Sequence, residues 1–159
     1  MFRIFMKTSL VIGVLFYALP VMALTASQVV EREVITINAD GTKVTNRVAA
    51  TLVTPGDKII YSLHYHNDGG TDVDNIVLVM PVPKEVMYQE GSADRENVST
   101  VYSTDGGVTY AVRENLLIAL EDGNTRPAKS SDITHVKWYV TSIVKAGATG
   151  TLSFDARLK

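Results

Sequence analysis

The densest concentration of side chains able to do chemistry is HYHNDGGTDVD, from His64 to Asp74. His64 and His66 offer imidazole nitrogens and Asp68 a carboxylate, the donor types that hold copper or zinc. Positions two apart on a strand point to one face, so the two rings lie close enough to share an ion. Asp68, Asp72 and Asp74 supply oxygen donors for calcium, but without the alternating acids and distal glutamate of the helix-loop-helix calcium loop. A third firm transition-metal ligand is not visible, because His135 falls on another segment, cysteine is absent and the five methionines are dispersed. The competing reading is plain strand and turn: the histidines decorate a solvent face. Asn67 and Asp68 then bond their own backbone while Gly69 and Gly70 take unusual φ. This second reading carries more weight. His64, His66 and Asp68 remain the metal candidates, and no cofactor is expected.

Catalytic patterns are missing from the sequence. There is no Gly-x-Ser-x-Gly elbow, no His-Glu-x-x-His and no phosphate-cradling glycine loop. Glu31 and Glu33, or Glu121 and Asp122, read as solvated positions, since a glycosidase pair comes from separate strands. The formal charge of −2 and the scattered basic residues argue against nucleic acid. The chain reads as a non-enzyme.

The elements that must position these residues are strands. From Ile59 to His66, Ile59, Tyr61, Leu63 and Tyr65 form a core row while Ile60, Ser62, His64 and His66 face outward. Leu152, Phe154, Ala156 and Leu158 alternate with Thr151, Ser153, Asp155 and Arg157. Val136, Trp138 and Val140 interleave with His135, Lys137 and Tyr139, which makes Trp138 the expected centre of the core. Ile76 to Val82 is apolar on both faces, as expected of a strand covered on both sides. Asp40-Gly41 and Asp105-Gly106-Gly107 read as hairpin turns, Thr54-Pro55-Gly56-Asp57 as a proline turn. The segment from Ser27 to Ala39, charged at Glu31, Arg32 and Glu33, reads as a sheet edge guarded against stray pairing. Asp122 to Ser131 is the longest polar loop, with a short turn at Ser130 to Asp132. Eight or nine short strands with such punctuation imply an all-β, antiparallel β-sandwich.

Residues 1–23 stand apart. Arg3 and Lys7, an apolar run from Leu10 to Leu19, Pro20 and the small Val21 and Ala23 have the build of a secretory signal peptide, cut after Ala23 or, in a variant, after Ala26. The run is shorter than the roughly 20 residues a membrane span takes, so no transmembrane segment is expected after cleavage. Fifteen Lys and Arg less Arg3 and Lys7 leave 13 basic against 17 acidic side chains in the mature chain. One domain is expected, with residues 24–50 forming N-terminal strands or a hairpin packed on a sandwich built from residues 51–159. A chain of this size needs no metal or disulfide to hold a core, and export without cysteine suits a bacterial periplasmic or extracellular protein.

TPGDKIIYSLHYHNDGGTDVDNIVLVMPVP, followed by MYQEGSA and VKWYVTSIVKAGATGTLSFDARL, resembles the bacterial conserved-repeat domain known as domain of unknown function eleven. The matching positions are Pro55, Gly56, Asp57, Tyr61, Asn67, Gly69, Asn75, Pro83, Tyr88, Gly91, Ser92 and Trp138, and Lys145-Ala146-Gly147 stands where the family has Pro-Gly. The resemblance implies an immunoglobulin-like sandwich in exported surface or envelope proteins and brings no catalytic residues. The resulting expectation is a structural or protein-binding role in the envelope with an unidentified protein partner. The alternatives are a periplasmic copper or zinc carrier using His64 and His66, and an accessory subunit of a surface fibre or secretion assembly that pairs by strand addition.

Overall fold

The structure is a computed structural model, and it describes residues 24–159; the expected leader at residues 1–23 lies outside the described residues. Ten strands follow in chain order: β1 (Leu24–Ile37), β2 (Lys43–Ala49), β3 (Lys58–Asn67), β4 (Ile76–Pro81), β5 (Val86–Tyr88), β6 (Val98–Ser103), β7 (Leu117–Ala119), β8 (Thr125–Pro127), β9 (His135–Val140) and β10 (Thr149–Leu158). Single turns of 3-10 helix occupy Arg113–Asn115 and Ser130–Asp132. A five-stranded sheet of order β2-β1-β3-β10-β5 faces a three-stranded sheet of order β4-β9-β6, and β7 pairs with β8. Every strand pair is antiparallel. The chain is an all-β sandwich.

Period-two alternation fills the space between the sheets. Ile59, Tyr61, Leu152, Phe154 and Ala156 come from the larger sheet, and Ile76, Met80, Val136, Trp138 and Val140 from the smaller. Tyr61 and Phe154 are register partners, and their rings stack at 5.0 Å. Trp138 is fully buried, lies 6.5 Å from the Phe154 ring and donates its Nε1–H to the Ala93 carbonyl at 3.0 Å. Tyr88 and Tyr102 share a hydroxyl hydrogen bond of 3.0 Å, so their polar ends are satisfied inside the core.

Several expectations are corrected. β4 is not covered on both sides: Met80 is buried but Val77 and Val79 are exposed, because β4 is the edge of a sheet whose outer face meets solvent. On the outer row of β3, Ile60 and Ser62 are buried. Ile60 lies between Glu31 and Asp155 of the neighbouring strands, beside Lys58, whose Nζ binds Glu33 at 2.8 Å and Asp155 at 2.9 Å; the stems of these long side chains shut out water. Glu31 to Glu33 guard no edge. They sit where β1 passes from its β3 partner to its β2 partner, and Glu31 and Arg32 pair on both sides. The polar segment 122–131 contains β8, folded back on β7 by a turn at Gly123, whose φ of 82° suits glycine. Beyond Asp105-Gly106-Gly107 only Ala111 pairs back, with Tyr102. Asp105 instead accepts the amides of Val108 and Thr109, which gives that segment a side-chain alternative to a ladder. Gly69 and Gly70 are absent from the positive-φ positions, which fall instead at Asn75 and Gly147 nearby.

Candidate functional site

Chemistry-bearing side chains gather at the open end of the large sheet, on its outer face. The register sets His66 between Thr25 of β1 and Thr149 of β10, and His64 between Ser27 and Thr151. Together they border a groove of about 320 Å³ whose floor is the backbone of Ala26, Tyr65 and Gly150. Gly150 is required there for packing. A Cβ at this position would lie 2.2 Å from the Tyr65 ring, which covers Gly150 on the core side.

Each imidazole is held through one nitrogen. His64 Nδ1 and Thr151 Oγ1 are 2.8 Å apart, and His66 Nδ1 contacts Asp68 Oδ1. Neither Nε2 has a hydrogen bond among the described residues, so both remain available to a ligand. Asp68, a candidate ligand in the sequence, is spent on orienting His66, and the three residues do not form one ligand set: no group of three or more His, Asp or Glu converges among the described residues. The partner Thr151 was not visible in sequence, since it is brought to His64 by the register of a strand 87 residues away.

The other candidates are placed elsewhere. His135 lies on the outer face of the other sheet, with its Nδ1 3.2 Å from Thr134 Oγ1, so the whole core separates it from His64. The three aspartates do not meet as a calcium site. Asp68 turns to His66, Asp72 accepts the Ala146 amide at 3.0 Å, and Asp74 is exposed. Asn67 is the structural residue of the stretch. It is fully buried, donates to the Thr71 carbonyl at 2.8 Å and the Val144 carbonyl at 3.1 Å, and accepts the Gly69 amide at 3.1 Å.

Perturbed ionisation elsewhere has local causes. Bonds from Thr109 and Ser103 hold the Asp105 carboxyl far below the usual range, Arg126 holds Asp132 at about 2, and burial pushes Tyr102 up. All three groups are hydrogen-bonded within their own loops or core, which is the pattern of structural groups and not of a poised acid or base.

A second feature lies at the opposite end of β1. Among the described residues, this strand pairs beyond Glu33 only with β2, and β2 pairs only with β1. The resulting two-stranded arm is exposed along all of β2 and at Ile35 to Ile37. Ile35 and Ile37, 65% and 64% exposed, lie on one face, and Val44 and Val48 on the other. The turn at its tip is the Asp40-Gly41 turn read in the sequence, with the Thr42 amide donating to Asp40 Oδ1 at 2.9 Å. The apolar exposure was missed because V-I-T-I followed by K-V-T-N-R-V reads equally well as a half-buried hairpin; only the absence of a covering element reveals it.

No family model, curated protein or solved structure matches this chain. Among the described residues no helix is long and apolar enough to cross a membrane.

Proposed function

We propose that this chain is a non-catalytic, exported binding module of the bacterial envelope that captures a protein partner by strand addition to the β1–β2 arm. The observation that carries this reading is the arm itself. It extends past the sandwich with large apolar side chains on both faces and β2 as an open edge. A two-stranded hairpin is only marginally stable in water, and an open edge is a template for another strand. Lys43 and Arg47 are the only charges on β2, so the occupant we propose is a different chain whose added strand sets neutral or acidic residues opposite them. The leader-like residues 1–23 and the resemblance to the exported conserved-repeat family support export and an immunoglobulin-like arrangement of the sandwich.

The test is site-specific photocrosslinking in a native envelope fraction, with the probe at Thr45 on the arm or at Tyr139 on the outer face of the smaller sheet. One discrete adduct is expected from Thr45 and none from Tyr139. Replacing residues 35–45 with Asn-Gly, which closes the hairpin at the Val34–Asn46 pair, is expected to abolish partner co-purification while leaving the sandwich folded. Undiminished co-purification with the shortened arm would reject the assignment.

A further inference from the structure

We infer that His64 and His66 form a two-imidazole chelate for a divalent transition-metal ion, copper(II) before zinc, in which Asp68 and Thr151 are positioning residues and not ligands. This site is independent of the arm, since β1 carries Thr25 beside His66 at one end and the arm at the other.

The two histidines share a strand face at adjacent same-face positions, about 7 Å apart along the strand, a separation two imidazoles can bridge by leaning toward a common ion. Ligating histidines characteristically give their other nitrogen to a carboxylate, carbonyl or hydroxyl, which fixes the tautomer and the ring plane. Both halves of that arrangement are present: the Nδ1 of His66 is engaged by the Asp68 carboxylate, and the Nδ1 of His64 by the Thr151 hydroxyl. The Asp68 carboxylate accepts, so His66 Nδ1 is the donor and its lone pair falls on Nε2; the same holds at His64 in the tautomer whose Nδ1–H donates to the Thr151 hydroxyl. The surroundings allow an ion to reach it, because the groove is open and bordered by the small hydroxyl residues Thr25, Ser27, Thr149 and Thr151. Among the described residues no lysine or arginine borders it to repel a cation. With two nitrogen donors and the remaining positions filled by water, the order of affinities among divalent ions favours copper(II).

The experiment is calorimetric titration of the purified protein with copper(II) chloride and with zinc chloride, alongside electron paramagnetic resonance of the copper form. One equivalent of copper(II) is expected to bind, with nitrogen hyperfine structure from two imidazoles. His64→Ala and His66→Ala should each weaken binding at least tenfold, and His135→Ala should leave it unchanged. Asp68→Asn should weaken it about tenfold while keeping both nitrogens in the spectrum, the range typical when a ligand's orienting partner is removed. These side chains are on the surface, and circular dichroism of each variant confirms that the sandwich is retained. Copper binding that survives the His64→Ala, His66→Ala double variant would overturn the proposal. A carboxylate oxygen in the equatorial ligand set of wild-type copper that is replaced by water in Asp68→Asn, with both nitrogens retained, would make Asp68 a ligand and overturn its assigned role.

Discussion

Asn67 concentrates at a single residue what this sequence does with polarity. Its side-chain amide is completely buried, and all three of its hydrogen bonds go to backbone groups outside the named strands: Thr71 and Gly69 in the loop after β3, and Val144 before β10. A buried amide in this role is a clamp: it is the donor to the Thr71 carbonyl and adds a second donor to the Val144 carbonyl, which also accepts the Val73 amide at 2.9 Å. Asn67→Ala is expected to destabilise the protein by about 2–3 kcal/mol, the cost of leaving buried partners unpaired, measured as a lowered urea midpoint with an unchanged slope. A loss below ~0.5 kcal/mol would mean that water enters and replaces the amide. The residue was legible as a turn former but not as a clamp, since its partner at Val144 lies 77 positions away. The same distance effect hid Thr151 behind His64. Among the special backbone positions, Gly41 at φ 82° and Gly106 at φ 80° were legible as turn glycines, whereas Asn75 at φ 52° was not and Gly69 and Gly70 carry no positive φ.

At the scale of elements, sidedness separates what the sequence revealed from what it hid. Alternating strands were read correctly: β10 buries Leu152, Phe154 and Ala156, and β9 buries Val136, Trp138 and Val140. The uniformly apolar β4 was misread, because apolar composition alone cannot tell a covered face from an open one. That distinction depends on whether another layer lies outside, which is a property of the fold and not of the strand. In an antiparallel ladder, hydrogen-bonded pairs alternate, and the Val82 amide donates to Thr134 at 2.7 Å. Ile76, Leu78 and Met80 therefore bond to β9 while Val77 and Val79 turn their backbone groups to the free edge. Pro81 closes that edge at one end by having no donor. Substitutions should report the asymmetry directly. Met80→Ala is expected to cost about 2–5 kcal/mol as a core truncation. Val79→Thr, one position away, should change stability by less than ~0.5 kcal/mol. Comparable losses at both positions in chemical denaturation would show that a further layer covers β4 in solution.

Over the whole molecule, the body and the arm differ in what stabilises them. The body is tied together by one core in which Trp138 of one sheet stacks on Phe154 of the other, so it should unfold as a cooperative unit, as small single domains do. The arm has no part in that core: among the described residues neither face of β2 is covered, and its only pairing is the ladder to β1. Segments with few buried apolar contacts and exposed backbone bonds open at free energies far below that of global unfolding. Native-state hydrogen exchange separates the two. The amides of β2 that bond to β1 are expected to exchange through local opening, insensitive to low urea. Those of Tyr61 and Phe154 should exchange only through global opening and accelerate with urea in parallel with the fluorescence of Trp138, the single tryptophan. If the β2 amides instead track Trp138 across the urea series, arm and body are one cooperative unit and the arm is not a separately ordered docking element. The same measurement bears on binding. An added partner strand completes the sheet beyond β2, so saturation with the partner should slow β2 exchange by the full factor of its binding equilibrium while leaving Phe154 limited by global unfolding.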